Sequence, residues 1–231
     1  MENQPMQNVS QRKNVISIGG LLNSSVEIYR KKAKTFAVIL SINVPLLLIG
    51  LLISYSFNPK NPPSNPLVVL GLMVFFVVYL IVTAWSVLSV VFAIKEREST
   101  ITVKQILILG WLSIPSYIWI YFLMGLAILA GFILLIIPGI IFAVWFSFAI
   151  YLFVSEGVKG KAALTASKKL VQGYWWAVFG RIVAMIFIMF MVSLIIGWVP
   201  LLGQLVNLFV MLPFFVIYMY LLHEDLKKVK I

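Results

Sequence analysis

Six stretches of this chain are almost free of charge, and their lengths decide what it can fold into. They cover residues 36–56, 67–94, 114–137, 140–154, 174–197 and 201–222. Of the 18 basic and seven acidic residues, only Arg181 lies inside them. A bilayer core of about 30 Å needs roughly 20 helical residues at about 1.5 Å each. Five of the six runs reach that length, and the fourth has 15 residues. In lipid every backbone group must bond within the protein, so these runs read as helices. None alternates apolar and polar residues as a membrane barrel strand does. With 62% hydrophobic and 11% charged residues, the 231-residue chain has far more apolar surface than a soluble domain of its size can hide. The expected fold is therefore all-α: a polytopic membrane protein with six transmembrane helices.

The net charge of +11 fits the same picture. Cytoplasmic loops collect Lys and Arg. Sixteen of the 18 basic residues fall in alternate segments between runs, and the opposite segments hold only Lys60. The reading is a multi-pass protein of the cytoplasmic membrane with both termini in the cytoplasm. The partner implied by this charge is an anionic inner leaflet, and no nucleic acid. A membrane protein partner fits as well. The fourth run is short, so two spans compete there with a re-entrant pair. The first apolar run follows a polar, charged stretch and lacks a small-residue cleavage pattern, so it reads as a retained helix and not a leader.

Organisation follows from hydrophobic spacing. Residues 1–14 form a disordered polar tail, and residues 15–231 form one domain. Ile18, Leu21, Leu22, Ser25, Tyr29, Ala33 and Phe36 recur at helical spacing, with Arg30, Lys31 and Lys34 on the other face. That predicts an amphipathic helix leading into the first span. Residues 100–112 read as a second interfacial stretch, and residues 161–172 as a third. In the third, Lys161, Lys168 and Lys169 share a face. The six basic residues of the first and third segments are the candidate lipid-surface contacts. The chain so reads as three hairpins, each preceded by a cytoplasmic amphipathic segment. Internal triplication and the plain consequence of six crossings are both open. Residues 58–66, with four prolines, read as an outer loop. Pro138-Gly139 is the expected turn between the third and fourth runs.

Catalysis is poorly supplied. The chain has no cysteine and one histidine, His223. All seven carboxylates lie outside the runs, so a membrane-embedded acid pair is missing. No HExxH or phosphate-binding glycine loop occurs. His223, Glu224 and Asp225 are adjacent and point to different helix faces. No metal or cofactor is expected, and the chain reads as no enzyme. Arg181 is the strongest single signal, because charge inside a membrane is costly. Its candidate partner is Glu156, with snorkelling to headgroups as the alternative. Asn43, Gln204 and Asn207 are amides within runs one and six. They fit either a polar path for a substrate or hydrogen bonds between helices.

Residues 137–180 add a pattern: Pro138-Gly139, Trp145, Glu156-Gly157, then Ala162 to Val171, Gly173-Tyr174-Trp175 and Phe179-Gly180. Together with Ile18-Gly-Gly-Leu-Leu and Tyr29-Arg-Lys-Lys, this resembles prokaryotic integral membrane proteins related to the membrane domain of glycerophosphodiester phosphodiesterases. It is also similar to their stand-alone six-helix relatives. A basic residue is frequent in that family where Trp145 stands here. The resemblance implies an integral membrane module with no established activity. The expected function is a non-catalytic scaffold, regulator or lipid-contacting partner. The alternative is a small transporter or channel with a polar path near Arg181, Asn43, Gln204 and Asn207.

Overall fold

The computed structural model describes residues 15–56 and 65–230. The polar tail and most of the proline-rich loop lie outside them. Ten α-helices and one π-helical turn account for nearly all described residues, and no strand occurs among them. Five helical stretches are long and apolar enough to cross a membrane, and six if the bent first pair counts as one. The architecture is that of a multi-pass helical membrane protein.

Helix α1 (Ile18–Ser41) begins at Ser17, whose hydroxyl accepts a hydrogen bond from the Gly20 N–H. It carries the predicted amphipathic face and continues into the first apolar run. It stops there because Pro45 has no N–H for the Ser41 carbonyl and its ring clashes with the preceding turn. The chain resumes as α2 (Val44–Ser56) at 54° to α1. The first run is thus a broken helix, where the sequence predicts an unbroken one.

Helix α3 (Pro66–Lys95) is capped by the Asn65 side chain, with Pro66 in its first turn. Its 30 residues make about 45 Å of helix, so it outruns the hydrocarbon core. Helix α4 (Val103–Leu134) starts in a reciprocal capping box between Thr102 and Gln105. The predicted interfacial stretch 100–112 is not a separate element. Its helical part forms the first turns of α4, which runs on through Pro115. Packing against α3 holds it in line. Trp85 Nε1 donates to the Leu107 carbonyl at 2.8 Å. A Cβ on Gly110 would run into Ser89 Oγ.

The turn after α4 is one extended residue, Leu135, and not Pro138-Gly139. Pro138 sits in the first turn of α5 (Ile136–Phe146), where a missing N–H costs nothing. Gly139 instead allows close approach. A Cβ there would come within 2.6 Å of the Phe132 ring, and one on Gly131 within 2.9 Å of Gly139 Cα. Helix α6 (Ala149–Glu156) follows after a break at Ser147-Phe148. The fourth run is thereby extended at both ends, and the α5–α6 stretch has 21 residues.

Gly157, at φ 74°, ends α6. Helix α7 (Gly160–Val171) is the third amphipathic segment, separate as predicted. It buries Ala163, Leu164, Ser167, Leu170 and Val171. Helix α8 (Trp175–Ile196) leads to a turn, then α9 (Pro200–Val206), the π turn (Asn207–Met211) and α10 (Leu212–Lys230). Pro213 accounts for the π turn. It cannot donate to the Phe209 carbonyl, and the widened turn accommodates its ring. The three predicted units differ, since two amphipathic stretches merge with their spans and only α7 stands alone.

Packing is asymmetric. Buried residues concentrate in α1, the second half of α3, α6, α7 and α10. Helix α2 buries none, and most of the first half of α3 is exposed. The charged segments meet at the well-packed end. There Arg97 forks onto Glu224 (both N–O distances 3.1 Å), and Lys227 meets Glu156 at 2.6 Å. Lys230 also bonds the Lys169 carbonyl.

Candidate functional site

The polar residues within the apolar runs separate into two places. Arg181, on the second turn of α8, reaches the chain just before α1. Its guanidinium donates to the Ile16 carbonyl at 2.7 and 2.9 Å, to Val15 at 2.9 Å, and to Ala177 at 2.9 Å. Asp225 of α10 accepts the Ile16 N–H at 2.8 Å. One turn of backbone is thus gripped from two helices by opposite charges. Glu156 takes no part, being held by Lys227. The expected Arg181–Glu156 pair does not form. The Val15 and Ile16 carbonyls, which precede α1, satisfy the half-buried cation instead.

Asn43, Gln204 and Asn207 do come together, and Arg181 is absent from their site. They line a groove of about 520 Å³ with Thr83, Ser86 and Tyr79. Apolar residues such as Leu47, Leu51, Phe75 and Leu208 form most of its wall. Asn43 is buried at the break between α1 and α2. Its Nδ2 donates to Ser86 Oγ at 2.6 Å and to the Leu40 carbonyl at 3.3 Å. That bond links the first and second spanning stretches, not the first and last. The link to the last comes from Tyr29, whose hydroxyl donates at 3.1 Å to the Phe209 carbonyl that Pro213 leaves free. Gln204 and Asn207 are exposed, and their side chains take no hydrogen bond among the described residues. Water or a bound molecule in the groove is the remaining source of partners.

The groove lies between two irregular stretches of helix. One is the Pro45 break, and the other is the π turn, which begins at Asn207. Such irregular backbone is found in membranes where it is buried in protein or lines a cavity. Asn43 and Asn207 stand out in the sequence as amides in apolar runs, but the two breaks beside them do not. Of their partners, Ser86 stands at a spacing of three from Thr83 and Ser89, and Tyr29 carries no signal beyond its residue type.

The basic candidates lie on the surface. Arg30, Lys31 and Lys34 are exposed on α1, and Lys161, Lys168 and Lys169 on α7. Lys31 pairs with Glu27 at 2.7 Å, and Lys168 sits 4.2 Å from the Trp145 ring centroid. His223, Glu224 and Asp225 go three ways: His223 is buried among Phe148, Tyr151 and Tyr220, Glu224 holds Arg97, and Asp225 holds Ile16. No group of three metal-ligating side chains occurs among the described residues.

Fold and site together define a polytopic helical membrane protein with a mostly apolar groove that carries a few amides and hydroxyls. No protein-family model, curated protein or solved structure matches the chain.

Proposed function

We propose that the protein is a non-catalytic protein of the cytoplasmic membrane that takes a lipid-like amphiphile into the groove between α2, α3 and the π turn. It is read as six spans in three hairpins, with the basic end in the cytoplasm. The exposed basic faces of α1 and α7 lie against the anionic inner leaflet in this reading. The observation that carries the proposal is the lining. A mostly apolar wall with a few converging amides suits a molecule with a chain and a hydrogen-bonding head.

The test is a photoactivatable diacyl lipid added to the purified protein, with crosslinks mapped by mass spectrometry. Labelling should concentrate on Phe76, Tyr79 and Leu208. It should fall about tenfold in Gln204→Leu/Asn207→Leu, as two lost hydrogen bonds imply. Even labelling across outward residues such as Phe122 and Phe187 would defeat the reading.

Transport is the second reading, and the paired helix interruptions favour it, because transporter sites are built from such discontinuous helices. Uptake of a polar solute into proteoliposomes, abolished by Asn43→Ala and Asn207→Ala, would place the groove on a path. Binding without flux would leave it a site.

A further inference from the structure

A second polar cavity lies at the charged end, away from the groove. It has a volume of about 430 Å³ and is lined by Lys95, Lys159, Ser113, Ser116, Ser155 and Glu156, with Phe92, Leu112 and Phe153 beneath. We infer that this cavity binds a phosphate group at the membrane surface, with Lys95 and Lys159 supplying charge and the serines supplying hydrogen bonds.

Four observations converge. Ser155 Oγ is shielded from solvent and has no hydrogen-bond partner. Ser113 and Ser116 Oγ also take no bond among the described residues, whereas Ser86, Ser89 and Ser147 fold back onto their own helix carbonyls at 2.8–2.9 Å. Ser155 Oγ is the buried hydroxyl that lacks an acceptor, while the half-exposed Ser113 and Ser116 keep theirs open toward the cavity and solvent. Lys159 enters no ion pair among the described residues, and Lys95 has only Glu96 at 3.8 Å. The one lining carboxylate, Glu156, is neutralised by Lys227 at 2.6 Å. Finally, Lys159 is the N-cap of α7, a 12-residue helix with no capping side chain and no acidic residue in its first turn. The positive end of α7 adds to the charge of Lys159 at the cavity wall.

Phosphate fits this set better than carboxylate. It presents several acceptor oxygens to donors spread over three helices and a loop, and it suits ammonium groups that act as point charges. The apolar floor, where the cavity meets the hydrocarbon, places an attached acyl chain in lipid. Two sources share this chemistry, a phospholipid headgroup and a free phosphate compound. The inference is independent of the groove.

The experiment is native mass spectrometry of the full chain in neutral detergent, titrated with short-chain phosphatidic acid, phosphatidylcholine and inorganic phosphate. One saturable phosphatidic acid adduct is expected. Lys159→Gln should weaken it about tenfold and Ser155→Ala severalfold, in line with lost charge-assisted and neutral hydrogen bonds. Lys159→Arg should retain it. Lys104→Gln, an exposed lysine on α4 outside the cavity, should leave it unchanged. Melting curves on each variant show that the fold persists. Competition by inorganic phosphate at similar concentration would keep the phosphate site and assign it to free phosphate compounds. The inference is overturned if no saturable adduct forms, if phosphatidylcholine binds equally, or if Lys104→Gln loses as much as Lys159→Gln.

Discussion

Ser167 shows how much one hydroxyl can carry in this protein. It is fully buried on α7 and bridges the break between α5 and α6, accepting from the Phe148 N–H at 3.1 Å and donating to the Trp145 carbonyl at 2.6 Å. Both backbone groups are orphaned by the break. Ser167→Ala should cost about 1–3 kcal/mol, because it strands them in a dry site. Thermal unfolding in detergent reads the loss, and Ser147→Ala, whose hydroxyl only folds back on its own helix, should change little. Arg181 gives a sharper test. If its partners are the Val15 and Ile16 carbonyls, Arg181→Leu and Glu156→Gln act on separate networks. Their effects on stability should add within about 0.5 kcal/mol. Coupling above about 1 kcal/mol would restore the direct pair. The sequence marks Arg181 and Asn43 as polar residues in apolar surroundings. It does not mark their partners, because backbone carbonyls and a serine on another helix become neighbours only after the bundle closes.

Proline decides the shape of two elements. Pro45 breaks the first span, and Pro213 follows the π turn that begins at Asn207. Restoring a donor at 213 removes the reason for the wide turn. Pro213→Ala should return the stretch to α-helical register and swing Asn207 by roughly one residue, about 100°, away from the groove. The cysteine-free chain makes this measurable. An Asn207→Cys variant should react with a small thiol reagent through the groove, and adding Pro213→Ala should slow that reaction severalfold. Equal rates would show that the turn does not depend on proline. The α4–α5 hairpin depends on Gly139 in a different way. Gly139→Val would drive a side chain into the Phe132 ring and should destabilise by about 1–3 kcal/mol or more. The apolar runs made the spanning stretches legible, and the amphipathic spacing of α7 gave its buried face. The fusion of residues 103–134 into one helix was not legible. A local drop in hydropathy looks the same at an interface as in a helix that projects beyond the bilayer.

The whole molecule has one tight, charged end and one open end. Ion pairs and buried helix faces lock the first, while α2 and the first half of α3 are largely exposed. Charge and packing coincide because both follow from the same loops. The basic segments bring α7 and the ends of α3, α6 and α10 together, and the opposite connections are too short to add layers. If the bias of Lys and Arg sets orientation, this tight end faces the cytoplasm. Three single-cysteine variants test it in intact cells with a membrane-impermeant maleimide. Lys169→Cys and Lys228→Cys, both exposed at the charged end, should label only after permeabilisation. Trp198→Cys, at a position 89% exposed at the opposite end, should label at once. The reverse pattern would turn the protein over and place its basic surface outside. A mixed pattern, with Lys169 and Lys228 on different sides, would mean an odd number of crossings between them and would remove either α8 or the α9–α10 stretch from the spans. The ion pair between Glu156 and Lys227 argues against the mixed pattern, since it ties the end of α6 to the end of α10 at 2.6 Å. Two residues bonded at that distance share one side of any membrane.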